Sequence, residues 1–495
     1  MLRRARRLLE LTIILAMLCA AGAMLARPAP QSRTAANAWL AQGIGAYRAG
    51  HFAEARQDLE KAVQSDSRLA QAHAYLGLTF ARTGNERGSL VELERAHTLD
   101  PQNPGYAYDT AILLIAAKQY PPAIAILEKL RQQEPASKDV LVNLARAEAG
   151  SGESAKLAAL VSSLSASSYA DPHFLEALAG VLAEAKQVAS LEQLWKSAIR
   201  FAPDQPLPYA ALAALWTGRG DANQALTLLD KTPAAARNPI YWYAYGQTQM
   251  ALHQYSQAAH SFRRLTRLVP QNERARMRLI QAQVLDGRLS DAAVSADEAL
   301  RRLPESAGLR YQAGLVNYLL GRDAAALAAL APLLASGAKH GDTRPVLLAA
   351  VIESASGRYK QAVEYFKEAL RPPGPCNALA AYFYGATLLR MHQPAEAATQ
   401  LKAAIACRPH FALAEYRLGL ALVQDQHTEE AEVEFQDAIR DDPQLAEPYY
   451  ALAQLRRRAG DAKGAAAALQ KFTQLHQHAD AADRGLLQSD SAPGK

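Results

Sequence analysis

The sequence predicts an all-α chain of stacked helical hairpins, and three observations predict it. A stretch of roughly thirty-four residues recurs about thirteen times. Within each copy apolar residues return at helical intervals, and a Gly or polar residue breaks the run about fifteen residues in. A proline then recurs after the second run, as at Pro101, Pro135, Pro203, Pro270, Pro304, Pro409 and Pro443. Proline lacks an amide donor and disfavours helix at the residue before it, so it ends one hairpin and opens the next.

Each element follows from the repeat. Gly50, Gly84, Gly152, Gly220, Gly287, Gly321, Gly357 and Gly460 sit at the mid-repeat break, where a left-handed backbone turn ends the first helix. Small residues recur where two helix backbones must approach: Gly77, Gly246, Gly385 and Gly419 in first helices, Ala55, Ala123, Ala225, Ala258, Ala362, Ala397 and Ala431 in second helices. A larger side chain there would force the helices apart. Phe262, Phe366, Phe435 and Trp195 are the large partners on second helices. No hairpin can bury its own apolar face, so neighbours must stack into a continuous core.

The copies at Trp242-Tyr243-Ala244-Tyr245-Gly246 with Tyr255, Ala258, Phe262 and Pro270, and at Leu418-Gly419 with Ala431, Phe435, Ala438 and Pro443, carry a W-x2-L-G-x2-Y, A, F, A, P pattern. So do Leu76-Gly77, Phe80, Gly84, Leu93, Ala96 and Pro101, and Trp39, Gly43, Gly50, Phe52, Ala55, Leu59 and Ala62. This pattern resembles the tetratricopeptide repeat family over about residues 36–479. The resemblance implies an α-solenoid, a right-handed superhelix of about thirteen helix-turn-helix units, with first helices lining a concave groove.

The ends read differently. Residues 1–26 form an export signal or N-terminal anchor: Arg3, Arg4, Arg6 and Arg7 precede an apolar run over residues 11–25. Ala21-Gly22-Ala23 and Met24-Leu25-Ala26 are both acceptable cleavage triplets. The run is shorter than the ~20 residues a spanning helix prefers, so cleavage and an uncleaved anchor both stand open. A linker follows over 27–35, and a polar tail over 480–495 is expected to be disordered apart from a short cap. The expected location is the periplasm or cell envelope, with membrane contact only through the first segment. That segment holds +3 of the net charge of +6, and the +3 left over is no signal for nucleic acid.

Repeats weaken near 138–172, where Ser151–Ser168 is serine-rich, and near 332–344. The run Arg371-Pro372-Pro373-Gly374-Pro375 is a third break. These are sites of flexing or harmless drift. Cys376 and Cys407 fall at the two ends of one antiparallel hairpin, which predicts a disulfide in an oxidising compartment; two idle thiols are the alternative.

Partner-binding residues follow from the groove that the resemblance implies. The fifth positions of the repeats are rich in tyrosine: Tyr108, Tyr243, Tyr311, Tyr382, Tyr416 and Tyr450. Tyrosine offers a broad apolar face and one hydroxyl at low entropic cost, which suits peptide contact. It is also common at this position in the family. The Lys/Asn carboxylate clamp and the asparagine ladder of other members are absent. Arginines thicken in the middle of the chain, with Arg274, Arg278 and Arg310 as a basic patch for an acidic partner. A solvated face is the plainer reading. Glu429, Glu430, Glu432, Glu434 and Asp437 crowd one second helix.

No phosphate loop, zinc-protease pair, nucleophile elbow or paired-cysteine zinc spacing occurs. His476 and His478, two residues apart on a helix, would point in different directions. The expectation is therefore no enzyme, no metal and no cofactor. The leading reading is a protein-interaction scaffold of the cell envelope that holds extended or helical segments of protein or peptide partners. One alternative is an accessory subunit of a glycosyltransferase or polysaccharide-export machine that contacts polymer. A second is a polyanion binder using the central arginines.

Overall fold

A computed structural model describes residues 30–335, 342–371 and 376–475. The expected signal, the His476/His478 pair, the tail, residues 336–341 of the 332–344 break and residues 372–375 of the 371–375 break lie outside the described residues. Among those residues the chain is helical throughout, with no strand.

Twenty-six α-helices pair into thirteen hairpins. They are α1 (Pro30–Arg48) with α2 (Phe52–Ser65), α3 (Ala70–Arg82) with α4 (Glu86–Leu99), α5 (Pro104–Ala116) with α6 (Tyr120–Gln133), and α7 (Lys138–Ser151) with α8 (Ser154–Ser162). Next come α9 (Pro172–Glu184) with α10 (Val188–Phe201), α11 (Pro206–Gly218) with α12 (Ala222–Asp230), and α13 (Pro239–Ala251) with α14 (Tyr255–Leu268). Then α15 (Glu273–Leu285) pairs with α16 (Leu289–Arg302), α17 (Ala307–Leu319) with α18 (Asp323–Ala335), and α19 (Arg344–Ala355) with α20 (Tyr359–Ala369). The last three are α21 (Ala378–Arg390) with α22 (Pro394–Cys407), α23 (Ala412–Gln424) with α24 (Thr428–Asp441), and α25 (Glu447–Arg458) with α26 (Ala462–Leu475). Odd-numbered helices are first helices and even-numbered ones second helices.

The chain divides into two compact units, one ending at Leu212 and the other beginning at Ala213, inside α11. In the first unit the serine-rich stretch still folds, but α8 is short and gives way to a 3₁₀ turn over Ala166–Ala170. Tyr169 ties that turn back by donating from its hydroxyl to the Val161 carbonyl at 3.2 Å. The second unit repeats the device at α12, a break that the sequence had not marked. A 3₁₀ turn over Ala234–Ala236 follows, and the Tyr241 hydroxyl donates to the Leu229 carbonyl at 3.2 Å.

Helix starts follow the local chemistry. Asn103, Asp171, Asn238, Asn272, Ser306 and Asn377 cap first helices by accepting backbone N–H groups in the first turn. Pro104, Pro172 and Pro239 stand just inside, where no amide donor is needed. The hairpin turns carry one signature. The eight expected glycines all have φ between 71° and 91°. The five hairpins without a glycine place Lys118, Lys186, His253, His392 and Gln426 at the same point, with φ between 55° and 66°. The left-handed turn is thus a demand of the hairpin, met even by residues that pay a steric cost.

Close packing holds the pairs. A β-carbon on Gly77 would fall 2.7 Å from Leu93 Cγ, and one on Gly385 2.6 Å from Leu401 Cγ. Phe262, Phe366 and Phe435 are fully buried, and Trp195 nearly so. Successive hairpins are also tied at repeat spacing. In the second unit the hydroxyls of Ser354 and Thr387 lie 2.8 Å apart in the core, and Ser306 donates to Glu273 at 2.6 Å.

Cys376 and Cys407 form a disulfide with Cα atoms 5.6 Å apart. It joins the start of α21 to the end of α22.

Candidate functional site

First helices of the second unit place five of the six singled-out tyrosines, and those five have different fates. Tyr382 is fully buried, packed between the rings of Phe383 and Phe411 at 5.0 and 5.1 Å. Tyr311 is 6% exposed, with the Arg344 guanidinium 5.2 Å from its ring centre. Neither can meet a partner in this conformation, which corrects their assignment to the groove. The physical reason is that Arg344, at the start of α19, sits against the Tyr311 ring, and Phe411, just before α23, packs on Tyr382 together with Phe383 of its own helix. Such burial depends on the next repeat's residues, and a single repeat's pattern does not reveal it.

Tyr243 is half-exposed and lines a cavity of about 570 Å³ with Arg274, Met277, Arg278, Gln281, Gln312 and Arg344. These residues come from the first helices α13, α15, α17 and α19, so the repeat itself brings them together. Arg278 Nη1 donates to Gln281 Oε1 at 2.8 Å. Glu273 also lines the cavity and accepts from Ser306 at 2.6 Å, which engages its carboxylate with the next hairpin. Arg344 makes a two-pronged pair with Asp342, both contacts at 2.9 Å. Burial alone would raise the Asp342 pKa, but the hydrogen bonds from Arg344 outweigh it and hold the carboxyl below its ordinary value. Arg310, the third expected member of the basic patch, is half-buried and does not line this cavity. Gln281, Gln312 and Arg344 were not foreseen. Gln312 follows a fifth-position tyrosine directly, which is the one signal that pointed to it.

Tyr416 and Tyr450 share a second cavity of about 640 Å³ with Leu420, Val423, Phe435 and Leu455. Arg458 also lines it. Tyr450 is 46% exposed and rests against Phe472, with ring centres 5.1 Å apart. This cavity is apolar where the first is cationic.

In the first unit Tyr108 is half-buried, and its hydroxyl accepts from Asn143 Nδ2 at 2.9 Å. Asn143 in turn accepts from Arg146 at 2.6 Å. Burial first, and then the nearby Asp139, push the Tyr108 hydroxyl above its ordinary pKa, so it stays protonated. Two carboxyls elsewhere are perturbed. Glu148 is pushed up to about 7 by burial, with Glu128 adding to it. Glu415 is also pushed up to about 7, by burial and then by its hydrogen bond with Asp441. Neither lines a cavity described above.

No group of His, Cys, Asp and Glu among the described residues could hold a metal ion. No described helix is long and apolar enough to cross a membrane. Cavities of the second unit, walled largely by first helices of successive hairpins and carrying tyrosine, glutamine and arginine, mark the candidate surface of a helical-repeat protein. The chain belongs to the tetratricopeptide repeat family: family models match residues 200–406, and 40–104 with 385–446. Such repeats generally form non-catalytic scaffolds for protein–protein interaction.

Among solved structures the chain is similar to the APC/C hetero-tetramer Cut9–Hcn1, with 13% identity over 84% of this chain and 95% of that one, and a TM-score of 0.40. It is similar to MamA from Desulfovibrio magneticus RS-1, with 29% identity over 35% of this chain and 96% of that one, and a TM-score of 0.31. A third is Naa15/Naa10 bound to HypK-THB, with 16% identity over 88% of this chain and 68% of that one, and a TM-score of 0.34. No curated protein sequence matches the chain.

Proposed function

We propose that this protein is an exported, non-enzymatic scaffold of a bacterial cell envelope that holds segments of protein partners on its first-helix face. The observation that carries the reading is the cavity lined by Tyr243, Arg274, Arg278, Gln281, Gln312 and Arg344. Its tyrosine supplies apolar contact, its glutamines serve a peptide backbone, and its arginines select carboxylates. The apolar cavity at Tyr416 and Tyr450 suits an apolar side chain of the same or another partner. Export is supported by the arginines and apolar run of residues 3–25 and by the Cys376–Cys407 bridge, since disulfides persist in oxidising compartments.

Site-specific photocrosslinking in the native host tests it. A crosslinker at Tyr243 should trap a defined protein, and Arg274→Ala with Arg278→Ala should weaken binding of that purified partner. A crosslinker at Lys196, exposed on α10, should not trap it. Crosslinks to glycan alone, or turnover of a substrate by the purified chain, would overturn the reading.

A further inference from the structure

The second helices carry a feature that the first-helix cavities do not use. Between Asp230 and Glu273 the chain has no carboxylate side chain, yet it carries Lys231, Arg237, Arg263, Arg264 and Arg267. Arg263, Arg264 and Arg267 lie on α14 and make no ion pair among the described residues. Other arginines of second helices are matched locally, as Arg302 is with Glu298 at 3.4 Å and Arg440 with Asp437. Unmatched guanidiniums on one helix repel each other, and a folded chain leaves such repulsion in place at a cost.

These arginines also shape the surface. Arg263 and Arg267 line two adjoining cavities of about 390 and 940 Å³. Arg276, 7% exposed on its side chain, lines the smaller one and is itself held by the Pro270 carbonyl at 2.8 Å. The larger one has an apolar component. Trp242 lines it with the Arg264 guanidinium 4.8 Å from its ring centre, and Leu268 lines it while half-exposed. Along α14 the exposed positions Gln257, His260, Arg264 and Arg267 fall at helical spacing, so they form one stripe.

We propose that the α14 face, with its neighbours on α13 and α16, is a second binding surface that takes an acidic protein segment bearing an apolar anchor. The arginines would receive its carboxylates as charge-assisted pairs, and Trp242 and Leu268 would receive the apolar side chain. A nucleic acid or an anionic bilayer fits less well. Either would want a continuous basic track, whereas Glu298 lines the smaller cavity and Asp291 and Asp297 share α16 with it. The surface is separate from the Tyr243 cavity, so one chain would hold two partners at once.

The test uses the full chain and a short fluorescein-labelled peptide of glutamate and aspartate around a central leucine, titrated by fluorescence anisotropy. The peptide should bind saturably and weaken as salt is raised. Its glutamine/asparagine analogue should bind at least about tenfold more weakly. Arg264→Gln with Arg267→Gln, both exposed positions, should also lose about tenfold with helicity unchanged. Arg264→Lys with Arg267→Lys should keep most of the binding. Arg274→Ala with Arg278→Ala, which strips the separate Tyr243 cavity, should lower the affinity by less than the Arg264/Arg267 change does. The proposal is overturned if the peptide does not bind or the Gln variant binds it equally. It is overturned too if the Arg274/Arg278 variant abolishes binding, or if duplex DNA or phosphatidylglycerol vesicles bind this face as tightly as the peptide.

Discussion

Gly246 of α13 lies directly against the ring of Phe262 in α14: a β-carbon at 246 would fall 2.6 Å from the ring's Cε1 atom. The ring is fully buried and cannot swing away. Gly246→Ala should therefore destabilise the chain by about 1–3 kcal/mol. Gly180 of α9 has open space around it, so Gly180→Ala should instead stabilise by about 0.5–1 kcal/mol. Urea titrations followed by helicity would check the opposite signs.

The hairpin turns give a second expectation. Lys118 holds φ at 58° where eight other hairpins use glycine. Lys118→Gly should stabilise by about 1 kcal/mol, because glycine meets no β-carbon clash in that conformation. An unchanged or lowered melting temperature would show that the lysine has a compensating contact.

Tyr382 and Tyr450 occupy the same position in their repeats and should behave oppositely. Tyr382→Ala empties a fully buried site and should cost about 3–5 kcal/mol. Tyr450→Ala gives up one half-exposed aromatic contact with Phe472 and should cost about 1 kcal/mol. Thermal unfolding of the two variants side by side separates them.

The disulfide closes a loop between α21 and α22. Replacing Cys376 and Cys407 by Ala should lower stability by about 3 kcal/mol. Thiol titration of the denatured, unreduced chain should find no thiol apart from Cys19, the third cysteine of the sequence. Two further thiols would refute the bridge.

Glu148 should make stability depend on pH. Burial raises its pKa to about 7, above the ordinary 4.5, so the folded chain holds a proton that the unfolded chain releases. Stability is unaffected by this group below 4.5, falls as pH rises from 4.5 to 7, and is lower by a constant amount above that. The full loss would be about 3 kcal/mol. Glu148→Gln should raise stability at pH 8 and change little at pH 4, as denaturant titrations at the two values would show.

What the sequence determined by itself is the local order. Period, proline stops and small-residue positions fixed the hairpins and their number, because each reflects a contact within one repeat or with its immediate neighbour. Glycine marked eight of the thirteen turns, but Lys118, Lys186, His253, His392 and Gln426 were silent, since nothing about those residue types announces a left-handed turn. Tertiary structure alone decided which side chains are reachable. Tyr243, Arg274 and Arg278 meet around one cavity, while Tyr311 and Tyr382, identical in pattern, are covered by neighbouring side chains. The physical reason is that helical periodicity assigns a residue to a face, but its exposure depends on the volumes of side chains from other repeats.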